Sequence, residues 1–227
     1  MTPMMPPPVI PASGPFPGGS SFTNVERDDG SQDRHPTHRV ATRMTEIASS
    51  RQLLAGLLRW VVVLVPAMLL LGFVSAALSN SGEQNAWFAD LAKPALYPPA
   101  RVFPIVWSVA YVLMGVALSM IASARGSAGR GAAIWMFALH LALNFAWSPL
   151  FFGAHRITLA LVDVGAMVVT MGAAMVLFSR LRPLAAVLLV PVMGWLLFAS
   201  VLNWQVLALN PHADGVPDAA PAVHVKF

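Results

Sequence analysis

The sequence contains no cysteine among its 227 residues, and only 11% of them are charged. The absence of Cys excludes disulfides, thiolate nucleophiles, iron–sulfur clusters and Cys-type zinc sites. A soluble globular domain usually carries about 25% charged residues. This chain therefore has too little polar surface to face water on every side, and we expect an integral membrane protein whose first partner is the lipid bilayer.

The few charges are mostly basic, with 14 Lys and Arg against 10 Asp and Glu. The basic side chains are scattered along the chain, and no basic patch has aromatic residues between its charges. Such a patch is the usual sign of nucleic-acid binding, so no nucleic-acid partner is expected.

Long apolar runs dominate the rest of the sequence, and Asp163 is the one charged residue inside them. The five runs are Trp60–Gly82, Val102–Ala124, Gly131–His155, Ile157–Ser179 and Pro183–Ala213. Each is long enough for the ~20 helical residues that cross a bilayer core, where a helix satisfies its own backbone. We predict an all-α membrane protein, a five-transmembrane-helix bundle with helices near 58–79, 102–123, 132–152, 158–179 and 184–209.

The two ends of the chain differ from this membrane domain. Residues 1–50 hold eight of the 19 prolines and few apolar side chains, a composition typical of disorder. The prediction is a disordered N-terminal extension over 1–50, a transmembrane domain over 51–210 and a flexible C-terminal tail over 211–227. Met44, directly before the membrane-flanking sequence, is a hypothetical alternative start.

Basic residues near the span ends predict the orientation. One side carries seven Arg residues: Arg43, Arg51, Arg59, Arg125, Arg130, Arg180 and Arg182. The other side carries Lys93, Arg101, Arg156 and Lys226. This asymmetry places the N-terminus in the cytoplasm and the first loop and C-terminus on the opposite side.

The first loop, residues 87–99, contains Trp, Phe, Tyr and three Pro instead of small polar residues. Proline lowers the entropy lost on ordering, and aromatic rings supply contact area. Two interpretations stay open: an ordered lid over the mouth of the bundle, or anchoring of Trp and Tyr at headgroup depth.

Helical spacing places further motif residues on shared faces. These stripes are Phe103, Trp107, Tyr111 and Gly115 in the second span, His140, Asn144, Trp147 and Phe151 in the third, and Pro191, Trp195, Phe198 or Ala199, and Leu202 in the fifth. If the three stripes converge, they enclose a mostly apolar pocket with a few polar points, suited to a flat ligand that stacks on aromatic rings.

Other side chains have competing interpretations. Trp135 and Trp204 are expected to fill core volume. His140 is expected to form a hydrogen bond between helices, with haem ligation or proton transfer as the alternatives. For Asp163, structural hydrogen bonding is favoured over proton handling. Ala138, Ala142 and Ala146 form a small-residue seam on the third span, which is either a dimer face or a contact within one subunit.

The order of motifs resembles the TspO/translocator protein family, the tryptophan-rich sensory proteins related to the peripheral benzodiazepine receptor. The matching residues are Trp87-Phe88-x-x-Leu91-x-Lys93-Pro94-x-x-x-Pro98-Pro99-x-x-Val102-Phe103-Pro104-x-Val106-Trp107, then Asn144-Phe145-x-Trp147-Ser148-Pro149-x-Phe151-Phe152-Gly153, and Pro191-x-x-x-Trp195-x-x-Phe198-Ala199-x-x-Leu202-Asn203. The resemblance covers roughly 57–210 and implies a five-helix transmembrane bundle.

The resemblance also implies a ligand, since the family binds porphyrins, related tetrapyrroles, sterols and isoquinoline or benzodiazepine drugs beneath the first loop. Combined with the stripes, it predicts ten ligand-binding residues: Trp87, Phe88, Pro98, Trp107, His140, Asn144, Trp147, Trp195, Phe198 and Ala199. Phe88, Leu96 and Val192 replace residues usual in the family. Trp204 with no basic residue before Lys226 departs from the mammalian sterol-associated pattern.

The function predicted is that of a membrane receptor or translocator for porphyrin-type tetrapyrroles, with a regulatory or stress-related role. No catalytic residue, metal site or covalently bound cofactor is predicted. The sequence does predict a porphyrin- or haem-type ligand and a homodimer formed through the third span. Two alternatives stay open: a light-dependent porphyrin-degrading enzyme using Trp107 and Trp195, and a secondary transporter.

Overall fold

The computed structural model describes residues 50–216 of the chain. Five long helices follow one another: α1 (Ser50–Leu78), α3 (Val102–Ser123), α4 (Arg130–Ser148), α5 (Ile157–Leu181) and α6 (Pro183–Leu209). A short helix, α2 (Ala86–Asp90), lies in the first loop, and a π-helical turn over Pro149–Gly153 extends α4. All five long helices are long and apolar enough to cross a membrane. The five predicted spans are therefore confirmed, and the protein is a multi-pass integral membrane protein.

The junction between α5 and α6 is set by a proline. Arg182 is the only residue between α5 and α6, and its backbone is extended (φ −147°, ψ 94°). Pro183 explains this conformation, because a residue that precedes proline is disfavoured in the helical region. Proline itself suits the first position of a helix, where its missing N–H costs nothing. A turn of one residue thus makes α5 and α6 adjacent.

Each long helix packs against at least two others. The contacts run from α1 to α3, from α3 to α6, from α6 to α5, from α5 to α4 and from α4 back to α1, and α3 also packs directly against α4. Large side chains from α3, α4, α5 and α6 fill the interior, and the fully buried ones include Met114, Phe137, Met167, Met171, Phe178, Leu189 and Leu196. Gly115 of α3 lies close against α1, since an added Cβ there would lie 2.7 Å from Val65 Cγ2.

Two predictions fall partly outside the described residues. The disordered N-terminal extension over 1–50, with the Met44 start, lies outside them except for Ser50, which begins α1. The tail over 211–227 is described as far as Val216. In that part, the Gly215 amide donates to the carbonyl of His155 at 2.7 Å, and the Thr158 amide donates to the Asp214 carboxylate at 3.3 Å.

Candidate functional site

The first loop is folded by its own hydrogen bonds. Asn85 caps α2, with its Oδ1 accepting from the Phe88 amide at 3.0 Å, as N-cap side chains do. Its Nδ2 donates to the carbonyl of Phe152 at 3.2 Å. At the other end of α2, Lys93 Nζ donates to the carbonyls of Phe88, Ala89 and Leu91 at 3.0–3.3 Å. We call residues 85–99, including α2, the lid.

One further contact joins the lid to the end of α6. The Ala92 amide donates to Oδ1 of Asn210 at 2.8 Å, and Nδ2 of Asn210 donates back to the Ala92 carbonyl at 2.9 Å. The same Nδ2 also donates to the carbonyl of Val206 within α6. A single side-chain amide therefore holds the lid by two hydrogen bonds to one backbone residue.

Beneath the lid, Trp87 and Phe88 pack into an aromatic cluster with the π-helical turn. Trp87 stacks on His155, with ring centroids 4.4 Å apart and planes 12° apart. Phe88 contacts Phe151 and Phe152 edge-on at 5.9 and 5.1 Å. Trp147 stacks on Phe151 at 5.0 Å. The predicted site residues Trp87, Phe88 and Trp147 are thus brought together in what we call the lid cluster.

A second group of rings connects the lid with α3 and α6. The centroid of Tyr97 lies 6.0 Å from that of Phe88 and 5.2 Å from that of Phe103. Phe103 contacts Trp195 edge-on at 5.8 Å, and Trp195 contacts Phe198 at 5.4 Å. These five rings form a continuous path from the lid to the middle of α6, which we call the aromatic path.

Trp107 lies beside this path on α3, one helical turn after Phe103. It stacks on Tyr111 at 5.6 Å. Tyr111 in turn donates a hydrogen bond from its hydroxyl to Oδ1 of Asn144 on α4 at 3.0 Å. The predicted residues Trp107 and Asn144 are therefore linked through Tyr111.

The indole of Trp147 forms its hydrogen bond with another helix and not with Asn144, which shares its helix face. Asn144 lies three residues earlier on the same helix, but Trp147 Nε1 donates to Oδ1 of Asn203 on α6 at 3.2 Å. Asn203 also donates from Nδ2 to the carbonyl of Ile157 at 3.1 Å. Asn203 thereby joins α4, α5 and α6, and its signal in the sequence is a polar side chain in an apolar span.

His140 is buried away from the two aromatic groups. Its Nδ1 lies 3.2 Å from the carbonyl of Met167, an arrangement in which Nδ1 carries the hydrogen, and 3.3 Å from Oγ1 of Thr170. The expected hydrogen bond between helices is confirmed. The ring contacts of His140 with Phe137 place it in the α4–α5 core, separate from the lid cluster and the aromatic path.

Two interpretations of single residues are wrong. Trp135 and Trp204 do not fill the core, because they are 77% and 59% exposed on the outer surface. The helical period of 3.6 residues shows which side chains share a face. It does not show which face points to the core when both faces are apolar. The structural hydrogen bond expected for Asp163 is also not found: the side chain is buried, and its Oδ2 has no partner among residues 50–216.

Two open cavities lie away from the predicted stripes. One, of about 740 Å³, is lined by residues of α1, the end of α3 and Arg182. The other, of about 350 Å³, lies between lid residues 94–96 and the end of α6. Neither is lined by Trp107, Asn144 or Trp195. Pro98 and Ala199 are partly buried. Members of the three stripes are in direct contact, through the Phe103–Trp195 ring pair and the Tyr111–Asn144 hydrogen bond.

Buried polar atoms mark places where a ligand could bind. The indole Nε1 atoms of Trp87 and Trp195 are buried and have no hydrogen-bond partner among the described residues. A buried donor without a partner costs about 1–3 kcal/mol. In the lid, burial and the nearby charge of Glu83 raise the pKa of Tyr97 to about 12, so its hydroxyl stays a neutral donor at ordinary pH.

Comparison with known proteins agrees with this architecture. Residues 62–209 match the model of the TspO/MBR family. The chain is 39% identical over 128 residues to the tryptophan-rich sensory protein of Cereibacter sphaeroides, covering 56% of this chain and 79% of that protein. It is also 39% identical over 146 residues to the translocator protein of Sus scrofa, covering 63% of this chain and 86% of that protein. It is 37% identical over 127 residues to the translocator protein of Homo sapiens, covering 55% of this chain and 75% of that protein.

The family match covers more than half of the chain and includes α1 from residue 62, the other four long helices, the lid and the aromatic path. The ring positions that carried the resemblance in sequence are the ones that meet in space. This protein belongs to the TspO/MBR family.

Proposed function

We propose that the protein binds a porphyrin-type tetrapyrrole within the helix bundle, beneath the lid, and acts as a membrane receptor or translocator with a regulatory or stress-related role in tetrapyrrole handling. The observation that carries this proposal is the aromatic path with the indole of Trp195 at its inner part, whose Nε1 has no hydrogen-bond partner among residues 50–216. Offset stacking adds about 0.5–1.5 kcal/mol per ring pair, and a free N–H would meet an acceptor on the ligand, such as a propionate.

Space for the ligand comes from movement of the lid. Tyr97 and Phe88 contribute two of the five rings of the path, and both belong to a segment held to α6 by Asn210. Displacing these two rings uncovers Phe103 and Trp195 while the long helices keep their positions. Trp107, Trp147, Phe198, Ala199 and Pro98 then border the ligand, as the sequence predicts, whereas His140 supports the bundle from the α4–α5 core.

Titration with protoporphyrin IX tests the proposal. The W107A/W195A variant removes two indoles from the proposed site and is expected to weaken apparent affinity, measured by fluorescence quenching and the porphyrin absorption band, by roughly tenfold. The matched control W135A/W204A removes two exposed indoles and should stay within about twofold of the parent protein. Equal affinity in both variants would contradict the site.

Two alternative functions rest on particular residues. Trp107 and Trp195 also fit light-dependent porphyrin breakdown, which predicts product under illumination in oxygen beyond a protein-free control. The buried Oδ2 of Asp163, which has no hydrogen-bond partner among the described residues, fits a secondary transporter, because ionisable residues within spans mark transport pathways. Vesicle uptake that is the same with and without the protein would eliminate that function.

The α4 surface supports a homodimer. Ala138 and Ala142 are exposed and Ala146 is partly buried, so small side chains allow close approach of a second helix. An A142W substitution is expected to shift the detergent-solubilised protein toward monomer in light scattering. A132W, at another exposed alanine of the same helix, should not. A dimer that survives A142W would place the interface elsewhere.

The arginine distribution supports a cytoplasmic N-terminus. Arg59, Arg125 and Arg182 line one cavity at one end of the bundle, whereas Lys93 lies in the lid and Arg101 follows it in the chain. Since the parent chain has no Cys, single cysteines at Ser127 and Leu96 can be labelled in intact cells with an impermeant maleimide. Labelling of L96C but not S127C is expected; the reverse pattern would invert the topology.

A further inference from the structure

The cavity of about 740 Å³ lies at the opposite end of α3 from the lid and takes no part in the proposed tetrapyrrole site. Its lining comes from the first turns of α1, the end of α3, the connection to α4 and the junction between α5 and α6. Segments distant in sequence therefore build one open cleft, which we call the arginine cleft.

Three arginines line the arginine cleft, Arg59, Arg125 and Arg182, and all three are exposed. Among residues 50–216, no Asp or Glu lines the cleft, and none of these three side chains forms a hydrogen bond or ion pair. Arg130 at the same end of the bundle differs, because its guanidinium donates to the carbonyls of Ile121 and Ala122 at 3.2 and 2.8 Å. The part of the cleft formed by the described residues thus concentrates positive charge without an acidic side chain in its lining, which favours an anionic ligand.

The cleft is also apolar. Leu57, Trp60 and Met120 line it together with the three arginines. The membrane-span part of α1 begins at Leu54, so the cleft lies where headgroups meet hydrocarbon. A ligand that satisfies all of these residues has an anionic head and an apolar tail.

We propose that the arginine cleft binds an anionic phospholipid of the surrounding leaflet, with its phosphate held by Arg59, Arg125 and Arg182 and its acyl chain against Leu57, Trp60 and Met120. Basic pockets at the ends of transmembrane helices are typical binding places for such headgroups. Arg forks match phosphate oxygens in a bidentate manner. A free phosphate ion would use the arginines alone and leave the apolar wall unpaired.

Native mass spectrometry of the purified full chain, titrated with phosphatidylglycerol or phosphatidylcholine, tests this proposal. Phosphatidylglycerol is expected to bind more tightly than phosphatidylcholine. The R59Q/R182Q variant should lose roughly tenfold of that affinity. The matched control R51Q/R180Q removes two charges near the same end at residues that do not line the cleft, and should change the affinity by less than about twofold.

A steric variant keeps the test decisive if the charge variant does not fold. Gly56 lines the cleft, and a Cβ added there meets no atom within 4 Å, so G56W would fill the cleft while retaining all three arginines. G131W, at another open glycine, is its control. Loss of phosphatidylglycerol in G56W but not G131W supports the site.

Several outcomes overturn the proposal. Equal losses in R59Q/R182Q and R51Q/R180Q would mean general surface charge, and equal retention of the two lipids would mean no headgroup recognition. Displacement of the lipid by inorganic phosphate at equal concentration would assign the cleft to a free anion. None of these measurements uses tetrapyrrole, so their results are independent of the proposed function.

Discussion

The hydroxyl of Tyr111 on α3 and the side-chain amide of Asn144 on α4 are joined by a 3.0 Å hydrogen bond inside the bundle. The acceptor of this bond is Oδ1 of Asn144, a residue that the sequence analysis predicts to contact the ligand. The amide hydrogens of Asn144 face Met167, whose sulfur lies 3.6 Å from Nδ2. Asn144 therefore ties three helices together, whereas the indole Nε1 of Trp195, within the aromatic path, has no hydrogen-bond partner among residues 50–216.

Removing either partner of this pair should destabilise the bundle, and removing both should cost less than the sum. Hydrogen bonds between membrane helices contribute about 0.6 kcal/mol on average and up to about 1.7. A double-mutant cycle of Y111F and N144A, measured by unfolding in mixed detergent, should give a coupling energy in that range. A coupling energy of zero would show that the Tyr111–Asn144 bond does not stabilise the folded protein.

Asn210 is expected to control opening of the lid. N210A removes both hydrogen bonds to Ala92, at about 0.5–1.5 kcal/mol each. Hydrogen–deuterium exchange across residues 85–99 should become roughly tenfold faster, with little change in the cores of α3 to α6. H212A, an exposed neighbour, should leave the exchange unchanged; unchanged exchange in N210A itself would refute the role.

Gly115 is expected to set the distance between α1 and α3. A Cβ there would lie 2.9 Å from Val65 Cα as well as 2.7 Å from its Cγ2, so G115A forces the helices apart and should lower the free energy of unfolding by about 1–3 kcal/mol. G165A is the control: its Cβ meets nothing within 4 Å, and the higher helix propensity of Ala should stabilise the protein by up to about 1 kcal/mol. Equal effects of the two variants would argue against close α1–α3 packing.

The hydroxyl of Tyr97 is expected to lose its proton at a higher pH than an exposed tyrosine does. Burial, with a contribution from Glu83, raises its pKa from 10.0 to about 12. Between these values the folded state holds more protons than the unfolded state, so the free energy of unfolding falls as pH rises from about 10 through 12 and is unaffected below 10. Phenolate ultraviolet absorbance, assigned with Y97F, checks this; titration near 10 would mean that the lid leaves Tyr97 in water.

The sequence by itself determined the five spans and the boundaries of most of them. A helix in a bilayer satisfies its backbone within one segment, so a run of about 20 apolar residues contains the information needed. Predicted helices at 102–123 and 184–209 agree with Val102–Ser123 and Pro183–Leu209. The family resemblance covers rings that pack beneath the lid, such as Phe88 and Phe151, but not Tyr97 or His155.

Only the tertiary structure decided what each polar side chain contacts. Trp147 pairs with Asn203 and not with the nearby Asn144, and Trp135 and Trp204 face outward. Likewise, Arg59, Arg125 and Arg182 come together in one cleft although they lie far apart in the chain. Periodicity assigns residues to a helix face, but the rotation of that face and its neighbour depend on how five apolar helices pack against one another.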